Sequence, residues 1–207
     1  MMMEFDRQAA NLIQKGYPKV AGVTTAEFMR HIEPLREKLR ALAPLEIEAE
    51  EGRIPFVIVV KSDLVDAERA MELVERDGKK GFTVLDADDI KDFEPIDGVD
   101  IPDGMAYLAL DIDAGKDTRN ITPDEATKMI QGSKRSPLTI DEGIALVTQY
   151  PEIVRKNGGF SLPGSRCGDR RVTAMWISGG RPKLGWCWAG NPHTWLGSAS
   201  CDGRVGL

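Results

Sequence analysis

Cys167, Cys187, His193 and Cys201 form the pattern Cys-x19-Cys-x5-His-x7-Cys. Thiolates and imidazoles are the ligands of tetrahedral zinc, and four of them make a closed structural site. The set lacks the short C-x2-4-C loop from which most such sites are built. The same residues admit a second chemistry. Cys167 lies within Gly164-Ser165-Arg166-Cys167-Gly168-Asp169-Arg170-Arg171. Nearby cations lower a thiol pKa, and with His193 as base Cys167 would serve as the nucleophile of a Cys/His-dependent hydrolase or transferase. The established signatures do not close around it. Thr173 stands where a C-x5-R phosphatase needs arginine, and Gly159-Phe160-Ser161-Leu162-Pro163 breaks the G-x-S-x-G pattern. A third chemistry needs no bond-making. Ser165, Arg166, Arg170 and Arg171, with the glycine amides between them, are groups that cradle a phosphate or carboxylate.

The elements that position these residues are concentrated at one end of the chain. Residues 158–207 hold all three cysteines, all four tryptophans and one of the two histidines. They carry six basic and two acidic residues, +4, within a chain whose net charge is −6. Arg171–Ser178 and Lys183–Trp188 have strand character and are separated by Gly179-Gly180-Arg181-Pro182, which predicts a hairpin with a four-residue loop. On its second strand Leu184, Trp186 and Trp188 share one face. Tryptophans at strand spacing belong to a core more often than to a ligand site. No strong pattern follows Gly190-Asn191-Pro192.

Upstream, the spacing of Phe5, Ala9, Leu12 and Ile13 predicts an amphipathic helix stopped by Gly16-Tyr17-Pro18. Thr24 with Glu27, Thr122 with Glu125 and Thr139 with Glu142 form three capping boxes, each opening a helix. Pro34 must kink the second helix or divide it. Ile54–Val60 and Met105–Asp111 read as strands, Phe82–Leu85 as a short one, and Leu64–Arg76 as a helix ended by Gly78. Asp86–Asp103 holds eight acids and one lysine and reads as a solvated loop. Asp111-Ile112-Asp113-Ala114-Gly115-Lys116 superficially matches a phosphatase D-x-D or a calcium loop. Both fail at Gly115 and Lys116, so the segment is a turn leaving a strand. His31 sits among helical apolar residues with no ligand set around it.

With 207 residues, 42% hydrophobic and 29% charged, the chain is expected to be one α+β domain spanning 1–207. Its helical N-terminal part, 1–45, would pack on a mixed or antiparallel sheet, and its basic part, 158–207, would end in the tryptophan-rich hairpin. Neither a signal peptide nor a membrane span is visible, which predicts a cytoplasmic protein with reduced thiols and no membrane partner. The acidic net charge makes nucleic acid an improbable partner, while the local excess of arginine leaves room for a small anion.

FSLPGSRCGDRR, WISGGRPKLGWCW and AGNPHTWLGSASC, with SPLTIDEGIALVTQYPEIV and IQKGYPKVAG, resemble an actinobacterial family of about this length that is a domain of unknown function. The resemblance implies a bacterial, cytoplasmic protein and brings no activity or site residue with it. The residues themselves favour binding of, or catalysis on, a small anionic molecule in a pocket built by the C-terminal segment. The alternatives are an interaction module clipped by zinc on the three cysteines and His193, and Cys/His-dependent chemistry.

Overall fold

The computed structural model of the chain describes residues 1–42 and 52–207. Residues 43–45, the end of the expected helical N-terminal part, lie outside them. Helix α1, Met2–Lys15, ends at Gly16 in a left-handed conformation (φ 90°) whose amide reaches back to the last carbonyls. That geometry is free only for glycine. Tyr17 and Pro18 do not break the chain there; Pro18 occupies the first turn of a short helix α2, Tyr17–Ala21. Helix α3, Thr25–Ala41, carries the Thr24/Glu27 capping box and runs through Pro34 without dividing. The buried stripes, Phe5, Ala9 and Leu12 on α1 and Phe28, Ile32, Leu35 and Leu39 on α3, pack together and onto the first sheet.

Strand β1, Arg53–Val60, follows. Helix α4 covers only Ala67–Leu73, shorter than its apolar spacing suggests, because Asp66 caps it and a small hairpin, β2 (Glu75–Arg76) with β3 (Lys79–Lys80), takes over the residues beyond Val74. Next come β4 (Phe82–Thr83), helix α5 (Ala87–Lys91) and β5 (Glu94–Pro95). The acidic stretch is therefore not wholly solvated: Phe93 and Val99 are buried within it. After β6 (Ala106–Asp113) come α6 (Pro123–Gly132), β7 (Ser136–Pro137) and α7 (Ile140–Gln149). The remaining strands are β8 (Gly159–Leu162), β9 (Ser165–Arg166), β10 (Arg171–Ser178), β11 (Arg181–Trp188), β12 (Leu196–Ser198), β13 (Ser200–Cys201) and β14 (Gly203–Val205).

The architecture is α+β, with helices on two main sheets. In the first, β6 lies between β1 on one side and β13 and β14 on the other, all antiparallel, and β7 extends it beyond β13. The second has the order β12-β8-β10-β11-β4 and is mixed, since β12 and β4 run parallel to their neighbours. The β10–β11 hairpin turns on two residues, not four. Gly179 and Gly180 both have positive φ, 58° and 75°, which is the two-residue turn matching strand twist, and it draws Arg181 and Pro182 into β11. Trp186 and Trp188 correct the core expectation: they are 36% and 45% exposed. Their face is the one that Leu184 buries, but the strand outruns the main core. Trp176 and Trp195 pack instead against a small second cluster of Val172, Ala174, Cys187, Ala189 and Leu196.

Helix α7 is the central element. From Glu142 to Gln149 every residue is buried, and it packs on β1 and α4. Gly143 sets its distance from the second sheet: a Cβ there would lie 2.4 Å from Leu162 Cδ1. A helix buried all round needs a mostly apolar sequence, and Glu142 is the charged residue among its buried positions. Its carboxylate is fully buried and accepts from Tyr107 Oη (3.0 Å), the Thr139 amide (2.8 Å), Arg204 Nε (2.5 Å) and Arg204 Nη2 (2.9 Å). Arg204 in turn donates to Ser136 Oγ and the Pro137 carbonyl, so one ion pair ties α7 to β6, β7 and β14. Gln8 does similar work at the open edge of β1. Its side chain donates to the Phe56 carbonyl and accepts from the Ile58 amide, both at 2.9 Å, standing in for a neighbouring strand.

Removing one partner of a buried ion pair leaves an uncompensated charge, at about 3–5 kcal/mol. Arg204→Met should therefore lower the urea midpoint steeply, and the double variant Arg204→Met/Glu142→Leu should lose less than the sum of the two single losses. Additive losses in urea unfolding would show that the two groups do not act as a pair.

Candidate functional site

The Ser165–Arg171 loop does not form an open cradle. Arg166 Nη1 donates to Asp124 at 3.0 Å, and Arg171 donates to Asp169 (2.7 Å) and to Asp89 (2.9 Å) while lying over the Phe93 ring. The basic segment thus meets the acidic remainder of its own chain, and the Arg166 and Arg171 guanidinium groups are engaged in ion pairs, although Arg166 Nε is buried with no hydrogen-bond partner among the described residues. Arg170 is exposed and its guanidinium packs toward Gly190. Ser165 is buried and its Oγ accepts the Ile140 amide at 3.1 Å.

The cysteines and His193 are not brought together. Cys201 lies in the main core and Cys187 in the small second cluster, on strands of different sheets. Among the described residues, no three His, Cys, Asp or Glu side chains are grouped to hold a metal ion. The four-ligand set is thus a sequence pattern without convergence, because β11 and β13 deliver their thiols to separate apolar interiors. Cys167 donates to Asp169 Oδ1 at 3.1 Å rather than to His193. Burial and the Asp169 carboxylate raise its thiol pKa, the opposite of what a nucleophile needs. His193 packs its ring against Trp195 at 5.5 Å, and its Nε2 is buried without a partner.

A cavity of about 300 Å³ opens elsewhere, where four elements end. Arg53 and Ile54 come from the start of β1, Lys116 and Arg119 from the turn after β6, Tyr150 and Glu152 from the end of α7, and Gly158–Phe160 from the entry to β8; Arg155 also lines it. Four basic side chains, Arg53, Lys116, Arg119 and Arg155, face one acid, Glu152. Arg53 is held by Asp111 at 2.6 Å and Asp113 at 3.2 Å. Arg119 differs: among the described residues its guanidinium makes no hydrogen bond or ion pair, and its Nε is buried.

Backbone contact puts Arg119 there. Gly115 has φ 81°, and a Cβ on it would lie 2.3 Å from the Ser198 carbonyl oxygen; one on Gly197 would lie 1.8 Å from the Gly115 carbonyl oxygen. Only two glycines allow this crossing. It lays residues 115–120 on β12, where the Thr118 hydroxyl accepts the Ser198 amide at 2.7 Å and the Asn120 amide donates to the His193 carbonyl at 2.9 Å. The sequence marked Asp113-Ala114-Gly115 as a turn, as it is: the Gly115 amide donates to Asp113 Oδ1 at 2.7 Å. It gave no sign that the lysine and arginine just beyond would reach the entry of β8, some forty residues later. The only local signal is two basic residues directly after a glycine turn.

The thiols provide a check on this arrangement. Burial pushes Cys187 up to about 11 and Cys201 up to about 12, and only Cys167 is partly exposed. At about pH 8, below the ordinary cysteine value, an aromatic disulfide reagent should label Cys167 alone and slowly, with the other two appearing only in denaturant. Fast labelling of two or more thiols in the native protein would contradict the burial described here.

Among the described residues no helix is long and apolar enough to cross a membrane. No curated protein and no solved structure matches the chain. One family model does, over residues 11–207, which takes in both main sheets and every residue of the cavity. The chain belongs to that family, DUF5701, a family of unknown function.

Proposed function

We propose that the protein binds a small anionic molecule in the cavity lined by Arg53, Lys116, Arg119 and Arg155. The observation that carries this is Arg119. A guanidinium offers five donors and is always charged. The Arg119 Nε is buried with no hydrogen-bond partner among the described residues, and a hydrogen bond with one charged member contributes about 1.5–3 kcal/mol. Arg53, in the same cavity, is matched to two carboxylates. A ligand carboxylate or phosphate would complete Arg119 in the same way, with Lys116 as a second point charge. The volume suits a small metabolite, at the lower end of the usual range of ligand pockets. This reading keeps the small anion expected from the sequence and moves its site from the Ser165–Arg171 loop to the other end of β8.

Thermal unfolding with inorganic pyrophosphate and with citrate, against chloride at equal ionic strength, tests it and separates phosphate from carboxylate recognition. Ligand at a hundredfold its Kd stabilises by about 2.7 kcal/mol, roughly 5–10 °C for a chain of this size. Arg119→Ala should weaken the binding anion by about tenfold or more, whereas Arg170→Ala, on the loop, should not change it. No shift with either anion, or equal shifts in wild type and Arg119→Ala, would sink the proposal.

A further inference from the structure

A second cleft lies at the opposite end of α7, of about 230 Å³, where Lys61 and Ser62 leave β1 and Ser165 arrives on β9. It adjoins another hollow with which it shares Ser62, Asp63, Ile90 and Phe93. Its floor holds a buried hydroxyl that closes no hydrogen bond of normal geometry among the described residues. Thr139 is 5% exposed and lines the cleft, and its hydroxyl lies beside the Glu142 amide at the helix start and the Tyr107 hydroxyl but, among the described residues, closes a hydrogen bond of normal geometry with neither. An unsatisfied buried hydroxyl costs about 1–3 kcal/mol.

Two further groups beside Thr139 are half satisfied. Asp141 accepts the Ser62 amide (3.0 Å) and hydroxyl (3.4 Å) on one oxygen, Oδ2; among the described residues Oδ1 receives nothing. Ser165 Oγ accepts the Ile140 amide, which leaves its own proton to donate. Apolar walls come from Ile90, Phe93, Ile101 and Ile140. The charge has the opposite sign to that of the first cavity. Asp63, Asp66, Glu68 and Asp141 line the joined hollows against Lys61 and Lys91. Lys91 is turned to Asp88, and Lys61 donates to the Pro102 carbonyl. Burial and the neighbouring Glu142 and Asp63 carboxylates push Asp141 up to about 6, so it is ionised at neutral pH but incompletely compensated.

We propose that this cleft is a separate ligand site that takes a small organic cation bearing hydroxyl groups. The ammonium pairs with Asp141 Oδ1, hydroxyls bond Thr139 and Ser165, and the carbon skeleton lies on Phe93 and Ile140. Excess carboxylate disfavours an anion, and the Thr139 and Ser165 hydroxyls match a polyhydroxylated partner.

A charge series of equal size tests this: glucosamine, glucose and glucuronate, titrated calorimetrically into the full chain. Glucosamine should bind most tightly and glucuronate not measurably. Asp141→Asn keeps an acceptor for Ser62 and should weaken glucosamine about tenfold or more while leaving glucose nearly unchanged. Thr139→Val, which keeps the shape and removes the hydroxyl, should weaken both sugars several-fold when titrated well below the melting temperature of the variant. Arg119→Ala should leave glucosamine binding intact, which keeps this site distinct from the anion cavity. Glucose binding as tightly as glucosamine, a preference for glucuronate, no binding by any of the three, or binding indifferent to both cleft variants would each overturn the proposal.

Discussion

The structure depends on a charge placed where an apolar residue would be simpler. Glu142 sits in the first turn of a helix buried on every side, and four hydrogen bonds converge on its two oxygens. Desolvating a carboxylate costs several kcal/mol unless the geometry of its partners is excellent. Here the partners arrive from β6 as Tyr107, from β14 as Arg204 and from the helix start itself as Thr139. The requirement runs in both directions. With Arg204 on the last strand beside β6 and Ser136 and Pro137 on β7, the docked helix is held from both. This ties the C-terminal end of the chain to its middle, and it fixes the direction and height of α7 between the two sheets.

That fixed helix explains why both cavities exist. A ten-residue helix is about 15 Å long, and one cavity lies at each of its ends. At the N-terminal end, Thr139 gives its amide to Glu142 and leaves its hydroxyl over the cleft. At the C-terminal end, Tyr150 closes the helix and forms one wall of the basic cavity, while its hydroxyl bonds Glu4 and Gln8 of α1. Neither cavity is enclosed by one segment. Each is a meeting of strand ends and turns around a rigid rod, which is where ligand sites commonly form.

Much of the scaffold was legible because its signals are local. Thr24 with Glu27, Thr122 with Glu125 and Thr139 with Glu142 each mark a helix start through residues three apart. The β-branched run Ile54–Val60 and the apolar run into Asp111 are strands by their own composition. What escaped depends on distance. Strands β12, β13 and β14 are two or three residues long, too short for a period, and exist because β8 and β6 need neighbours. Cys187 and Cys201 looked like one ligand set because they are close in sequence, but β11 and β13 belong to different sheets and send them to different interiors. The arginine loop looked like a cradle because its counter-charges, Asp89 and Asp124, lie 82 and 42 residues from the arginines they bind. Arg119 looked ordinary because a missing partner is visible only once every neighbour has been placed.

The opposite signs of the two cavities follow from the same helix. Peptide dipoles place roughly half a positive charge at the N-terminus of α7 and half a negative one at its C-terminus. Carboxylates are stabilised in the first turn, where Asp141 and Glu142 sit, and basic groups near the last, where the arginine cavity is built. Each such contact contributes about 0.3–1 kcal/mol, so the dipole biases which side chains the ends tolerate and does not itself choose a ligand. The choice falls to full charges left over after internal pairing. Glu142 is neutralised by Arg204, but Asp141 has only hydrogen bonds from Ser62. Arg53 is neutralised by Asp111 and Asp113, but Arg119 has no ion pair among the described residues. A ligand of either proposed kind would therefore complement the side chain rather than the dipole, cationic at the helix start and anionic at its end.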